Sequence, residues 1–220
     1  LGEVRRQPLL TLFLLLAPVS CIHQFYFVHT SDFLAGLQRN SDAADSFARG
    51  VNALFGVGGG GLMTIGQMTE HGVLAAIPLV SGRVSRKSLL ATGLLAYAAR
   101  MALFAYSTSM PAVLLGVALH GLCFGCFIFV GPMIVDEETT PDVRASAQNL
   151  FNLVFVGIGI AVGSWIAASV VAGWASAGGT MDYRKLFAVP MWASLACLAV
   201  LLLFYPGRRR DGAALQELRA

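Results

Sequence analysis

The residues best suited to chemistry lie inside apolar runs. Gln67, Glu70 and His71 interrupt the run between Val51 and Ser81. At 100° per residue, Glu70 and His71 fall about 60° and 40° to either side of Gln67 on a helix, so all three share one polar arc. A carboxylate within a bilayer costs about 3 kcal/mol or more, so it faces a partner or a wet cavity. The two readings of that arc are a transport or proton site and a structural hydrogen bond between helices. A second set, His120, Cys123, Phe124 and Phe127, follows the i, i+3, i+4, i+7 spacing of one helix face. A third closes the first apolar run, where Gln24 and Phe27 are i, i+3 neighbours in a segment rich in histidine and aromatics. Amides, one carboxylate, imidazoles and aromatic rings bind polar solutes and exchange protons.

Other chemistries lack their residues. Cys21, Cys123, Cys126 and Cys197 all sit in apolar runs, where cysteine packs as a small hydrophobe. Cys123-x-x-Cys126 has no second pair to complete a metal site, so neither metal nor cofactor is expected. Gly58–Gly61 is not followed by the Lys-Ser/Thr of a phosphate-binding loop, and no His-Glu-x-x-His occurs. Gly163-Ser164-Trp165 lacks the second glycine that a rhomboid-like serine protease requires. An enzyme is therefore not expected. A net charge of +3, with the basic residues confined to short loops, excludes a nucleic-acid surface.

The elements that must position these groups are membrane helices. Hydrophobic residues make up 56% and charged residues 12% of 220, with a mean hydropathy of +0.70; soluble domains carry about 25% charged residues. About 20 apolar residues cross a hydrocarbon core, and six stretches qualify: 8–30, 51–81, 88–106, 110–135, 145–174 and 185–205. With the amino terminus in the cytoplasm, the inner segments hold Arg5, Arg6, Arg83, Arg86, Lys87, Arg144, Arg208, Arg209, Arg210 and Arg219. The outer ones hold only Arg39, Arg49, Arg184 and Lys185. That bias places both termini inside. The segment from Asp32 to Arg49 reads as a solvated connector, and Gly56 to Gly61 as a bend or a close helix contact. Arg100 either snorkels to the outer surface or pairs with an acid. Thr140-Pro141 reads as the N-cap and first turn of the fifth helix. Gly159 and Gly163 form a small-residue pair for tight helix packing.

With these residues laid out, the chain resembles the carboxy-terminal six-helix half of a major facilitator superfamily transporter, and within it the nucleoside:proton symporter family. The turn Gly82-Arg83-Val84-Ser85-Arg86-Lys87 is similar to the superfamily's basic inner loop, without its acid. Gln67-x-x-Glu70 before Pro78 is similar to the family's Gln-x-x-Glu. His120-Gly121 through Asp136, then Pro141-x-x-Arg144-Ala-Ser-Ala-Gln148, resembles its signature.

The resemblance implies an all-α integral membrane bundle that is one half of a twelve-helix fold. It implies a nucleoside bound near the midplane, proton symport and alternating access in the cytoplasmic (inner) membrane. Substrate contacts would come from Gln24, Phe27, Gln67, Glu70, His120 and Phe124, with proton coupling at Glu70 and His71. Arg83, Arg86, Lys87, Asp136, Arg144 and Gln148 would form the inner gate. A nucleoside suits this set, since it offers hydroxyls, ring nitrogens and a flat face. The family commonly carries an aspartate where this chain has Gly125, and often an asparagine where it has Phe27. The sequence opens Leu1-Gly2-Glu3, and six helices are half of twelve, so a further six-helix half is expected on the same polypeptide or on a paired chain. Lipid, nucleoside and proton are the other expected partners. A facilitator for another small polar solute and a non-transporting relative are the competing readings.

Overall fold

The structure, a computed structural model, describes residues 2–41 and 45–207. It is a bundle of helices joined by short turns. The tail carrying Arg208, Arg209, Arg210 and Arg219 lies outside the described residues.

Helix α1 (Leu9–Asn40) runs well past the expected end at Thr30. Leu34 and Ala35 are buried against neighbouring helices, and that apolar face carries the helix through the segment expected as a connector. Asp45 then caps α2 (Ser46–Phe55), its carboxylate accepting from the amides of Phe47 at 2.9 Å and Ala48 at 3.2 Å. The second expected span is therefore two pieces, α2 and α3 (Gly60–Ser81), separated by a glycine turn. Gly56, Gly58 and Gly59 have φ of 73°, 147° and 80°, a region that costs other residues strain. A side chain on Gly59 would also strike the carbonyl of Ser31 on α1. Gln38 of α1 holds the turn. Its carbonyl oxygen accepts from the amides of Gly58 (3.0 Å) and Gly59 (2.9 Å), while its NH2 donates to Gly56 O (2.7 Å) and Asn52 Oδ1 (2.9 Å).

The remaining helices are α4 (Arg86–Tyr106), α5 (Met110–Glu138), α6 (Pro141–Ala175) and α7 (Tyr183–Phe204), with a two-residue hairpin, Ser176–Ala177 and Thr180–Met181, before α7. Ser85, Ser109 and Asp182 cap α4, α5 and α7 through side-chain acceptors. Five helices, α1 and α4 to α7, are long and apolar enough to cross a membrane. Helix α3 is not among them, although its 22 residues at about 1.5 Å each would span the core. Gln67, Glu70 and His71 lower its hydropathy.

Helices α4 and α7 pair along much of their length, α5 packs on α3 and α4, and α1 packs on α6 and α7. Two apolar cores result. One gathers Leu12, Leu16, Leu90, Phe127 and Phe151; the other gathers Leu62, Met101, Phe104, Val113 and Phe187. Between them lie buried His23, Arg100 and His120.

The α1–α6 seam bears out the small-residue pair. A Cβ at Gly163 would lie 2.6 Å from Cys21 Cα, and one at Gly159 would collide with Ser20. Helix α6 widens to π-helical turns at 153–159 and 166–171. Side chains of α1 donate to carbonyls in these turns: Ser20 Oγ to Phe155 O (2.7 Å), Cys21 Sγ to Gly159 O (3.8 Å) and His29 Nε2 to Ala167 O (3.0 Å). Lipid offers no donors, so such partners must come from protein.

Candidate functional site

Four helices meet in the polar layer between the cores. Helix α4 brings Tyr97 and Arg100, one turn apart, and α5 brings His120. Arg100 is fully buried, at 0% exposure, so it does not snorkel. Its guanidinium lies 4.4 Å over the Tyr26 ring and 5.0 Å over the Tyr97 ring, a cation–π sandwich between α1 and α4. One of its Nη atoms donates to His120 Nδ1 at 2.8 Å. The other face of the same imidazole approaches α3, with Nε2 at 3.4 Å from Glu70 Oε2. Among the described residues Arg100 thus reaches an acid only through His120. Beside this chain, Tyr97 OH bonds His23 Nδ1 at 2.7 Å, and the His23 ring stacks 5.5 Å from that of His120. Tyr26 covers the opposite side of His120 at 4.6 Å.

The expected substrate residues border this layer. Phe27 is half-exposed and presents its ring edge-on to His23 (5.0 Å) and His120 (5.9 Å). Phe124 is partly buried, 6.5 Å from His23. Gln24 is buried on the α6 side, where its carbonyl oxygen accepts from Ser164 Oγ at 3.3 Å. Gln67 and His71 are exposed on α3, and His71 Nδ1 donates to the carbonyl of Gln67 at 2.7 Å, one turn back along the same helix. Glu70, His120, Phe27 and Phe124 are therefore brought together, with Gln24 anchored to α6 and Gln67 and His71 outside the buried network.

The face inferred for α5 does not extend to Phe127. A π-helical stretch at 124–129 changes the helical phase. Phe127 consequently packs, fully buried, against Gly93 of α4, where a Cβ would meet it at 3.0 Å. Gly125 occupies the contact with α3. A Cβ there would sit 2.5 Å from Val73 Cγ1, so the space that a carboxylate needs is filled by valine. Cys123 and Cys126 are buried and unpaired, and the described residues contain no cluster of three or more metal-ligating groups.

The expected gate residues lie at the end where α1 begins. Arg86 forms a two-point ion pair with Glu137 across α4 and α5, and Arg144 pairs with Asp136 at 3.1 Å across α5 and α6. Lys87 Nζ donates to the carbonyls of Leu202 (2.9 Å) and Tyr205 (2.7 Å), closing the end of α7. Gln148 donates to Pro132 O at 2.8 Å, and Arg83 is exposed. Thr140 is the N-cap position of α6 with Pro141 first in the helix, but its hydroxyl makes no cap. Glu3 instead accepts from both the Thr140 amide (3.1 Å) and hydroxyl (2.9 Å).

His23, Tyr26 and Tyr97 are functional candidates that the sequence did not single out, and Arg100, for which it left snorkelling and ion pairing open, joins them. Their signal is an i, i+3 pair on α1, His23 and Tyr26, matched by an i, i+3 pair on α4, Tyr97 and Arg100.

Residues 3–210 match the sequence model of a family described as nucleoside H+ symporter. The xanthosine permease of Escherichia coli is 28% identical over 205 residues, which cover 91% of this chain and 47% of that protein. The nucleoside permease NupG of Escherichia coli is 29% identical over 147 residues, 65% of this chain and 34% of that one. A crystal structure of the nucleoside transporter NupG superposes with a TM-score of 0.78 at 21% identity, covering 94% of this chain and 50% of that one. An aspartate-to-alanine mutant of the same transporter gives 0.76 at 22% identity, covering 88% and 47%. The likeness in fold is to one half of those chains. This chain spans about half the length of the curated relatives it matches.

Proposed function

The chain belongs to the nucleoside H+ symporter family, and from that we propose that it supplies the carboxy-terminal, substrate-contacting half of a nucleoside transporter coupled to protons. The family match over nearly the whole chain carries the reading. The relatives are permeases, not enzymes, and the helices are those of an integral membrane protein. In the proposed mechanism a nucleoside lies against Phe27 and Phe124, with Gln24 and Gln67 contacting its hydroxyls or ring nitrogens. Glu70 takes up the coupled proton, and His71, exposed one residue on, helps receive it. Six further helices, on the same polypeptide or a paired chain, close the other side. Rocking of the two halves then exposes the site alternately to each face of the cytoplasmic membrane, with both ends of this segment in the cytoplasm and the Arg86–Glu137 and Asp136–Arg144 pairs at the inner gate.

The test is uptake of labelled nucleosides by cells expressing the full-length gene product, with and without a protonophore. Glu70→Gln should leave facilitated equilibration but remove accumulation driven by the proton gradient. Unchanged pH-dependent accumulation in that variant would exclude Glu70 as the carrier. Competition by sugars but not by nucleosides would move the substrate to another class of small polar solute.

A further inference from the structure

We infer that Arg100 is a positioning residue that locks His120 in the Nε2–H tautomer, so that His120 presents a fixed N–H toward Glu70 and is excluded as a proton carrier. The inference rests on the reading of Glu70 as the proton site, but its geometry stands by itself.

The direction of each contact follows from what the groups can do. A guanidinium has only donors, so the 2.8 Å contact from Arg100 makes His120 Nδ1 the acceptor. A neutral imidazole with an accepting Nδ1 carries its proton on Nε2, the nitrogen that faces Glu70 Oε2 at 3.4 Å. To become cationic, His120 would need a second proton on Nδ1. That would remove the acceptor and set two positive groups against each other in a buried site.

Neither partner has room to leave. Arg100 is held at 0% exposure between the rings of Tyr26 and Tyr97, and its charge is permanent. The His120 ring is stacked between Tyr26 and His23, with Phe27 against its edge. The titratable and charged groups around it are His23 and Tyr26 from α1, Glu70 from α3, Tyr97 and Arg100 from α4, and Cys123 on α5 itself. Glu70 is the one carboxylate in that shell among the described residues. The relay thus conveys the influence of a buried cation to the acid without moving a proton of its own. His120 becomes a component of the Glu70 site rather than a contact for the substrate.

Glutamine is the discriminating replacement. Its carbonyl oxygen can accept from Arg100 and its NH2 can point an N–H toward Glu70, reproducing both polarities of the locked tautomer, yet it cannot carry a proton. The first measurement is imidazole 15N NMR on the purified full-length protein, with the resonance assigned by its loss in His120→Gln or His120→Asn. The expected pattern is protonated Nε2 and unprotonated Nδ1 throughout about pH 5 to 8, where an ordinary histidine changes charge. A doubly protonated ring or an Nδ1–H tautomer in that window overturns the inference.

The second measurement is the pH profile of uptake. His120→Gln should hold the wild-type midpoint within ~0.5 pH unit, whereas His120→Leu, which removes the donor, should move it by ~1 unit, a tenfold change in proton affinity. Loss of proton coupling in His120→Gln with transport retained would overturn the lock. Absence of gradient-driven nucleoside uptake by the unmodified protein would instead refute the coupling assignment, and the NMR pattern would still decide the tautomer.

Discussion

Gly125 offers the sharpest quantitative test of how closely α3 and α5 meet. A Cβ added there would lie 2.5 Å from Val73 Cγ1, whereas carbon atoms are content at about 3.5–4.0 Å. Gly125→Ala therefore demands a shift of about 1 Å from Val73 or from a helix, and overpacking of this kind costs about 1–3 kcal/mol. At roughly 2–4 °C per kcal/mol for a unit of this size, and less for a longer protein, the loss in Tm is no more than about 12 °C. Val73→Ala removes two methyl groups, worth about 1.6 kcal/mol of transfer free energy if fully buried and less at this half-buried position. The double variant opens the space that the first change needs. It should be more stable than the sum of the two losses by about 1 kcal/mol or more, as expected for touching residues. The assay is thermal unfolding of the detergent-purified full-length protein, with all four members of the cycle measured together. Strict additivity, or a wild-type Tm for Gly125→Ala, would refute a close α3–α5 contact at this level. Gly125→Asp on the Val73→Ala background then asks whether a carboxylate fits once the valine is gone.

Removing the Gln38 side-chain amide in Gln38→Leu leaves the Gly58 and Gly59 amides without their acceptor. An unsatisfied buried group costs about 1–3 kcal/mol, so Tm should fall and proteolysis should appear at the glycine turn; an unaltered digestion pattern would count against the staple. Arg86→Glu sets like charges together at the Glu137 contact, and Glu137→Arg does the same from the other side. The double swap should restore the wild-type uptake rate, with a stability effect of about 1 kcal/mol or less because both groups are partly exposed. The Asp182 carboxyl is held below its ordinary range, chiefly by the Lys185 amide that it accepts at 3.1 Å. Because that pKa is depressed, the cap contributes above the unfolded-state value and is lost as pH falls through the folded one. The protection of amides in the first turn of α7, measured relative to the intrinsic exchange rate at each pH, should therefore fall in acid, and Asp182→Ala should show the lowered protection at neutral pH already.

What could be read from the sequence was what one helix encodes within itself. The Gly159–Gly163 seam follows from two small residues one turn apart, and the start of α6 at Pro141 from a threonine–proline pair that suits an N-cap and first helical position. The polar arc of α3 likewise follows from Gln67, Glu70 and His71 alone. Contacts assembled from several helices were beyond reach. Arg100 left two outcomes open because its partner, His120, is presented by another helix and itself needs Glu70 from a third. The Gly125 contact depends on Val73, which no spacing rule connects to it. Periodicity failed where the backbone departs from 3.6 residues per turn, so Phe127 faces Gly93 rather than the layer containing His120. The true end of α1 is masked in the sequence because Asp32, Gln38 and Arg39 look like connector residues, while Leu34 and Ala35 fasten that stretch to the bundle.

Helix α3 also bears on how the protein is made. Its neighbours can partition into lipid on their own hydropathy, but a segment bearing Gln67, Glu70 and His71 gains little by leaving an aqueous conduit alone. Its stabilising contacts come later in the chain: the Ala118 carbonyl that accepts from Thr69 Oγ1 at 2.8 Å, and the imidazole of His120. We therefore expect α3 to wait at the insertion machinery until α5 has been synthesised, and the two to enter the bilayer as a pair. Nascent chains arrested with Tyr106 just clear of the ribosome should leave α3 accessible to a water-soluble cysteine reagent through an introduced Met68→Cys, and chains arrested with Glu138 clear of it should protect it. Equal protection at both lengths would mean that α3 integrates unaided.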